Sequence, residues 1–169
     1  MKPLDNFASG IIILIHKKGD SKNLDNFRPI SLINTDYKIL MKIIANRISK
    51  HMDFLLETGQ TAGKQYQSCV NNLDAIRNLI IKAQQSKKFK FLLLSIDLEK
   101  AFDSVSHVCL WKIMEKFKIP DKIVKLFKVL YGNASSRVLI KGFLSESFQT
   151  KCSVRQGCPM SMILLFIVP

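Results

Sequence analysis

Asp97 stands where an unbroken apolar run, Phe91-Leu92-Leu93-Leu94-Ser95-Ile96, gives way to Leu98-Glu99-Lys100-Ala101-Phe102-Asp103. A carboxylate fixed at the end of a rigid strand can hold a hard cation better than one on a loop. The same residue types also suit a helix start, with Asp97 or Asp103 as the cap and Glu99 or Lys100 in the first turn. Spacing alone leaves both open. Two cationic groups lie upstream. Lys17 and Lys18 sit at a strand-to-turn junction closed by Gly19-Asp20, where an ammonium group can meet a phosphate. Arg28 precedes Pro29, which forces extended geometry on it. Its guanidinium can grip a triphosphate through two parallel hydrogen bonds, or pair with a neighbouring carboxylate.

Several elements must position these groups. Residues 11 to 15 read as a strand, and Phe27 to Leu32 as a second extended segment. From Asp36 to about Lys50, Tyr37, Leu40, Met41, Ile44 and Ile48 recur at helical spacing and mark a core face. A second helix follows the Gly59-Gln60-Thr61-Ala62-Gly63 break, with Leu73, Ile76, Ile80 and Ile81 on its apolar side. Ser86-Lys87-Lys88 connects it to the 91–96 run, which is short and lacks polar alternation, so it reads as a strand buried on both faces. Val108, Trp111, Met114 and Phe117 mark another helix, ending before Pro120. Asp121 caps the next, in which Val124, Phe127, Leu130 and Tyr131 point inward. Arg137 to Ile140 turns back at Lys141-Gly142, and a polar loop from Ser153 to Ser161 leads into a helix start at Met162.

Composition narrows the partners. The 169 residues are 47% hydrophobic, enough for one α+β domain with a real core, and carry a formal net charge of +13. A field of that sign favours nucleic acid phosphates over other partners. Cys69, Cys109, Cys152 and Cys158 make no zinc-type spacing with His16, His51 or His107 and read as reduced core thiols of an intracellular protein, with nucleus and cytoplasm undistinguished. No secretory signal is legible, and no apolar run has the roughly 20 residues that cross a bilayer. No membrane partner is therefore expected. The oligomeric state is not legible.

Five blocks, in order, resemble the reverse transcriptases of LINE-type (non-LTR) retrotransposons, with group II intron enzymes as more distant cousins. They are Lys17-Lys18-Gly19-Asp20, Asn26-Phe27-Arg28-Pro29-Ile30-Ser31-Leu32, Asp36-Tyr37-Lys38-Ile39-Leu40 with Ala45-Asn46-Arg47, Ile96-Asp97-Leu98-Glu99-Lys100-Ala101-Phe102-Asp103, and Val154-Arg155-Gln156-Gly157-Cys158-Pro159. One block would be weak, but five at fitting spacing are specific.

The resemblance implies a partial right-hand polymerase, with fingers over about 11–90 and the start of the palm over about 91–169. Asp97 would be the catalytic carboxylate on two Mg²⁺ ions, joined by the backbone carbonyl of Leu98. Phe102 would be the steric gate against a 2′-hydroxyl. Arg28, and more weakly Lys17, would contact the triphosphate, and Gln156 and Gly157 would line the nucleotide pocket. Partners implied are an RNA template, a DNA primer and deoxynucleoside triphosphates. The family's second catalytic hairpin, an aromatic-Ala-Asp-Asp element, lies beyond the Arg-Gln-Gly block, and neither it nor a thumb or an endonuclease is in this sequence. The expectation is that these residues alone do not polymerise. The alternative is a non-catalytic basic module that binds nucleic acid, and a third is an unstable fold whose 91–96 strand lacks partners. Departures from the family pattern include Ala62-Gly63, Tyr66-Gln67, Met162, and Ser153 in place of glycine. A positive φ at Ser153 would cost on the order of 1 kcal/mol.

Overall fold

The computed structural model describes residues 6–56, 59–62, 64, 66–86 and 88–168. Gly63 of the expected break and Lys87 of the expected connector lie outside them. The chain is mixed α+β, as expected, and its sheet is assembled from distant segments. Strand β1 (Ser9–His16) pairs antiparallel with β2 (Phe27–Ile33) and parallel with β3 (Ser135–Ile140). The far edge of β3 is shared by β4 (Phe143–Leu144) and β5 (Phe148–Gln149). Lys141 and Gly142 turn the hairpin at φ 48° and 86°, the left-handed pair that matches strand twist.

Helix α1 (Thr35–Ser49) buries Tyr37, Met41, Ile44, Ala45 and Ile48, the stripe read from sequence. A short α2 (Met52–Leu55) follows, with Met52 buried. Helix α4 (His107–Lys116) is capped by Ser106, whose hydroxyl accepts from the Cys109 amide, and α5 (Asp121–Gly132) buries Val124, Phe127, Leu130 and Tyr131. Pro120, rather than Asp121, stands at the α5 cap. With α6 (Ser161–Ile167) these helices close one core around Met41, Leu110, Met114, Phe127, Val154 and Leu164.

Two expectations fail between residues 66 and 100. Helix α3 (Cys69–Gln85) forms, nucleated by a capping box between Ser68 and Asn71, yet it buries no residue. Leu73, Ile80 and Ile81, expected on a packed face, are exposed. The 91–96 run is not a buried strand. It makes no ladder pairing among the described residues, and leaves Leu92 91% and Ile96 75% exposed. Apolar composition signals a demand for burial, but a strand also needs a neighbouring backbone, and the described strands pair with one another instead. The cysteines correct another expectation: all four are free, but only Cys158 is buried, while Cys69, Cys109 and Cys152 are exposed.

Candidate functional site

The β1–β2 hairpin fixes the cationic groups. Its register sets Ile15 opposite Arg28, and the Lys17 amide donates to the Asn26 carbonyl at 2.7 Å. Side chains alternate along a strand, so Arg28 and Lys17 share one face of the hairpin. Both are exposed. The turn between them is tightly made. Gly19 has φ 81°, a Cβ there would meet the Asn26 side chain at 2.8 Å, and Asn26 Nδ2 donates to the Asp20 carbonyl at 2.8 Å.

Strand β2 is the outer strand of the described sheet, and the loop 153–157 lies along its open edge. The Ser31 amide donates to the Gln156 carbonyl at 2.8 Å. Gly157, at φ 103°, comes so close that a Cβ would stand 2.8 Å from the Ser31 carbonyl oxygen, so a side chain there is barred by both space and backbone. The same loop is bonded on its other side to the segment after Asp97. The Val154 amide donates to the Phe102 carbonyl and the Ser153 amide to the Val105 carbonyl, each at 2.8 Å. His107 Nε2 donates to the Ser153 carbonyl at 2.8 Å. Ser153 has φ 87°, so the positive φ anticipated for this position is present.

A cavity of about 50 Å³ sits at this junction, lined by Pro29, Ser31, Asp103, Arg155 and Gln156 among others. Burial raises the Asp103 carboxyl above its ordinary value, with Lys100 pulling the other way. Lys100 pairs with Asp25 at 3.1 Å, tying the turn after Asp97 to the hairpin loop, and that hydrogen bond raises the lysine. Both partners are solvent-exposed, so the pair adds little stability. A larger hollow of about 300 Å³ opens at the start of β1, around Ser9, Asn34, Ser135 and Arg137. It is lined by none of Lys17, Arg28, Asp97, Leu98, Phe102, Gln156 and Gly157.

The expected site is thus partly gathered. Gln156 and Gly157 are against β2, and Phe102, half-buried on the core, is bonded to their loop. Arg28 and Lys17 are on the same hairpin but on the face opposite Pro29 and Ser31. Asp97 and Leu98 are exposed in the unpaired segment, and among the described residues no hydrogen bond or ion pair joins Asp97 to the others. Neither Asp97 nor Asp103 caps a helix, because turns follow them and Ser106 takes that place. No group of three or more His, Cys, Asp or Glu that could hold a metal occurs among the described residues. Sequence reasoning missed Ser31, Asp103, His107 and Arg155 as parts of the junction. Ser31, Asp103 and Arg155 fall within the quoted blocks, but their partners are remote in the chain, so no role at the junction could be assigned to them.

Residues 15–168 match the family described as reverse transcriptase (RNA-dependent DNA polymerase). The chain belongs to the reverse transcriptase family. The resemblance to non-LTR retrotransposon proteins seen in the five blocks is likewise shown. This reverse transcriptase domain is 32% identical over 151 residues to the transposon TX1 uncharacterized 149 kDa protein of Xenopus laevis, covering 89% of the chain and 12% of that protein. It is 28% identical over 152 residues to the Pol polyprotein of the type-1 retrotransposable element R2 of Nasonia vitripennis, covering 90% and 14%. To the RNA-directed DNA polymerase from the mobile element jockey of Drosophila melanogaster it is 26% identical over 155 residues, covering 89% and 17%. The domain therefore spans about an eighth to a sixth of the length of these relatives.

Proposed function

We propose that this domain supplies the nucleotide-facing part of an RNA-directed DNA polymerase, with β1 to α3 acting as fingers and the chain from Phe91 onward as the start of a palm. The observation that carries the reading is the bonded path from β2 through Ser31 to Gln156, and from Val154 to Phe102. It joins three of the five sequence blocks through backbone groups alone, so a nucleotide seated at the junction would meet all three. Arg28 is three residues from Ser31, about 10 Å along the strand, and its long side chain would reach the triphosphate round the open edge of β2. Lys17, on the same face, would assist. Phe102 would limit space beside the sugar, and Gln156 and Gly157 would line the base and sugar.

What the chain offers a divalent cation is the Asp97 carboxylate and the Leu98 carbonyl. That is an incomplete set for the two Mg²⁺ ions the family resemblance implies, and substrate phosphates would have to supply further oxygens. When bound, such an ion polarises phosphoryl oxygens and lowers the pKa of an attacking hydroxyl. Template RNA and primer DNA would be drawn by the +13 charge.

The test is equilibrium binding of dTTP with Mg²⁺ to the wild-type chain, to Arg28→Ala and to Asp97→Asn. Arg28→Ala should weaken binding about tenfold or more, as loss of charge-assisted hydrogen bonds does. Asp97→Asn should remove the Mg²⁺ dependence. Equal affinities across the set, alongside salt-sensitive RNA binding, would instead favour a basic module that holds nucleic acid without using the nucleotide site.

A further inference from the structure

Arg155 is charged yet buried, 5% exposed. No carboxylate among them lies within ion-pairing distance of it. Its Nη2 donates to the Ser135 carbonyl at 2.9 Å, its Cζ lies 5.9 Å from the centre of the Tyr37 ring, and its Nη1 is buried without a partner. That Nη1 stands 3.6 Å from where a Cβ on Gly10 would be. One guanidinium therefore engages the start of β3 and the first turn of α1, and lies beside Gly10 of β1.

Burying a charge without a counter-ion is costly. An apolar chain of similar length would fill the same space without that cost, so what the guanidinium adds is direction: a planar fork set between a carbonyl and an aromatic face. The residues on either side of Arg155 carry the junction. Val154 donates to Phe102, and Gln156 accepts from Ser31. The side chain anchored beneath the loop thus sits at the point from which both bonds are set.

We propose that Arg155 is the positioning residue of the nucleotide site. It holds Gln156 and Gly157 at bonding distance from β2 and, through Val154, fixes the turn bearing Phe102, without touching nucleotide itself. This rests on the nucleotide reading above for its functional half, while its geometric half stands separately.

The experiment pairs amide hydrogen exchange with dTTP binding in the full chain carrying Arg155→Met or Arg155→Lys. In Arg155→Met the Ser31 and Val154 amides should exchange about tenfold faster or more, while helical amides of α5 keep their rates, as expected of a local opening. Affinity for dTTP should fall by a similar factor, and Arg155→Lys, which keeps the charge but loses the fork, should fall between. Arg28→Ala serves as the contrast, weakening dTTP with Ser31 exchange unchanged. Unchanged Ser31 exchange in Arg155→Met overturns the proposal, as does equal acceleration in α5, which would mean general loosening. Should Arg155→Met not fold, Arg155→Lys decides by the same criterion. If Arg28→Ala also leaves dTTP binding untouched, the nucleotide reading fails while Ser31 exchange still decides whether Arg155 sets the loop. If Arg28→Ala weakens dTTP but neither Arg155 variant does, the positioning role is refuted and the nucleotide reading survives.

Discussion

Residues 66–100 and the rest of the domain are comparably apolar yet end in opposite states. In the first, α3 and the 91–98 segment carry Val70, Leu73, Leu79, Ile80, Leu92, Leu93, Leu94 and Ile96, all exposed. In the second, α1, α4, α5 and α6 interlock so that Met41, Leu110, Met114, Phe127 and Leu164 are wholly buried. The difference lies in partners rather than in composition. A stripe on α1 is covered because Ile33 of β2 and residues of α4, α5 and α6 join it in one core, whereas local capping is enough to form α3 but cannot cover it. Stability should therefore be concentrated outside 66–100.

The sharpest way to break that contrast is a pair of truncations. Phe127→Ala, at a position with no exposure, should cost about 3–5 kcal/mol in urea unfolding, through lost transfer energy and the cavity left behind. Leu92→Ala and Leu94→Ala should each fall within about 0.5 kcal/mol of wild type. If either leucine costs as much as Phe127, the 91–98 segment is covered in solution and the contrast is wrong.

The same contrast explains what could be read in advance. The faces of α1 and α5 were legible because Tyr37, Met41, Ile44 and Ile48, and Val124, Phe127, Leu130 and Tyr131, repeat within a few turns of one helix. The Lys141-Gly142 hairpin was legible for a similarly local reason. The 91–96 strand was misread because its pattern reports a wish for burial and is silent about which backbone would pair with it. Of the candidate site, Arg28, Lys17, Asp97, Leu98, Phe102, Gln156 and Gly157 were picked out by residue block, but their arrangement was not. That depends on contacts such as His107 with Ser153 and Ser31 with Gln156, whose partners are far apart in sequence. The buried anchoring of Arg155 was invisible, since a lone arginine beside a glutamine has no periodicity to betray it.

A smaller effect tests how firmly each region fixes its backbone. Ser153 at φ 87° is bonded at its amide to Val105 and at its carbonyl to His107, so it cannot relax. Ser153→Gly should stabilise the domain by up to about 1 kcal/mol, the left-handed penalty less the added freedom of the unfolded chain. Tyr66 also has a positive φ, 61°, but is fully exposed. Tyr66→Gly should change stability by less than about 0.5 kcal/mol. Equal gains at both sites in thermal unfolding would show that 66–100 holds its backbone as firmly as the core.

The smallest expected effect separates two aspartates only six positions apart in sequence. Asp103 lines the cavity beside Gln156, and burial raises its carboxyl in the folded state. A raised acid binds its proton more tightly folded than unfolded, so its contribution is fully present below the unfolded value, about 3.9, and is lost as pH rises through the folded one. At neutral pH the ionised carboxylate is thus a net cost, reduced by its partial exposure. Asp103→Asn should raise the melting temperature at pH 7 by no more than about 2 °C, the scale of a fraction of a kcal/mol in a domain this size, and leave it unchanged near pH 3.5. Asp97→Asn, in the open segment, should leave the melting temperature at pH 7 unchanged. A drop in stability at pH 7 for Asp103→Asn would mean that its charge is held by a favourable partner, and the junction would then be electrostatically built rather than merely packed.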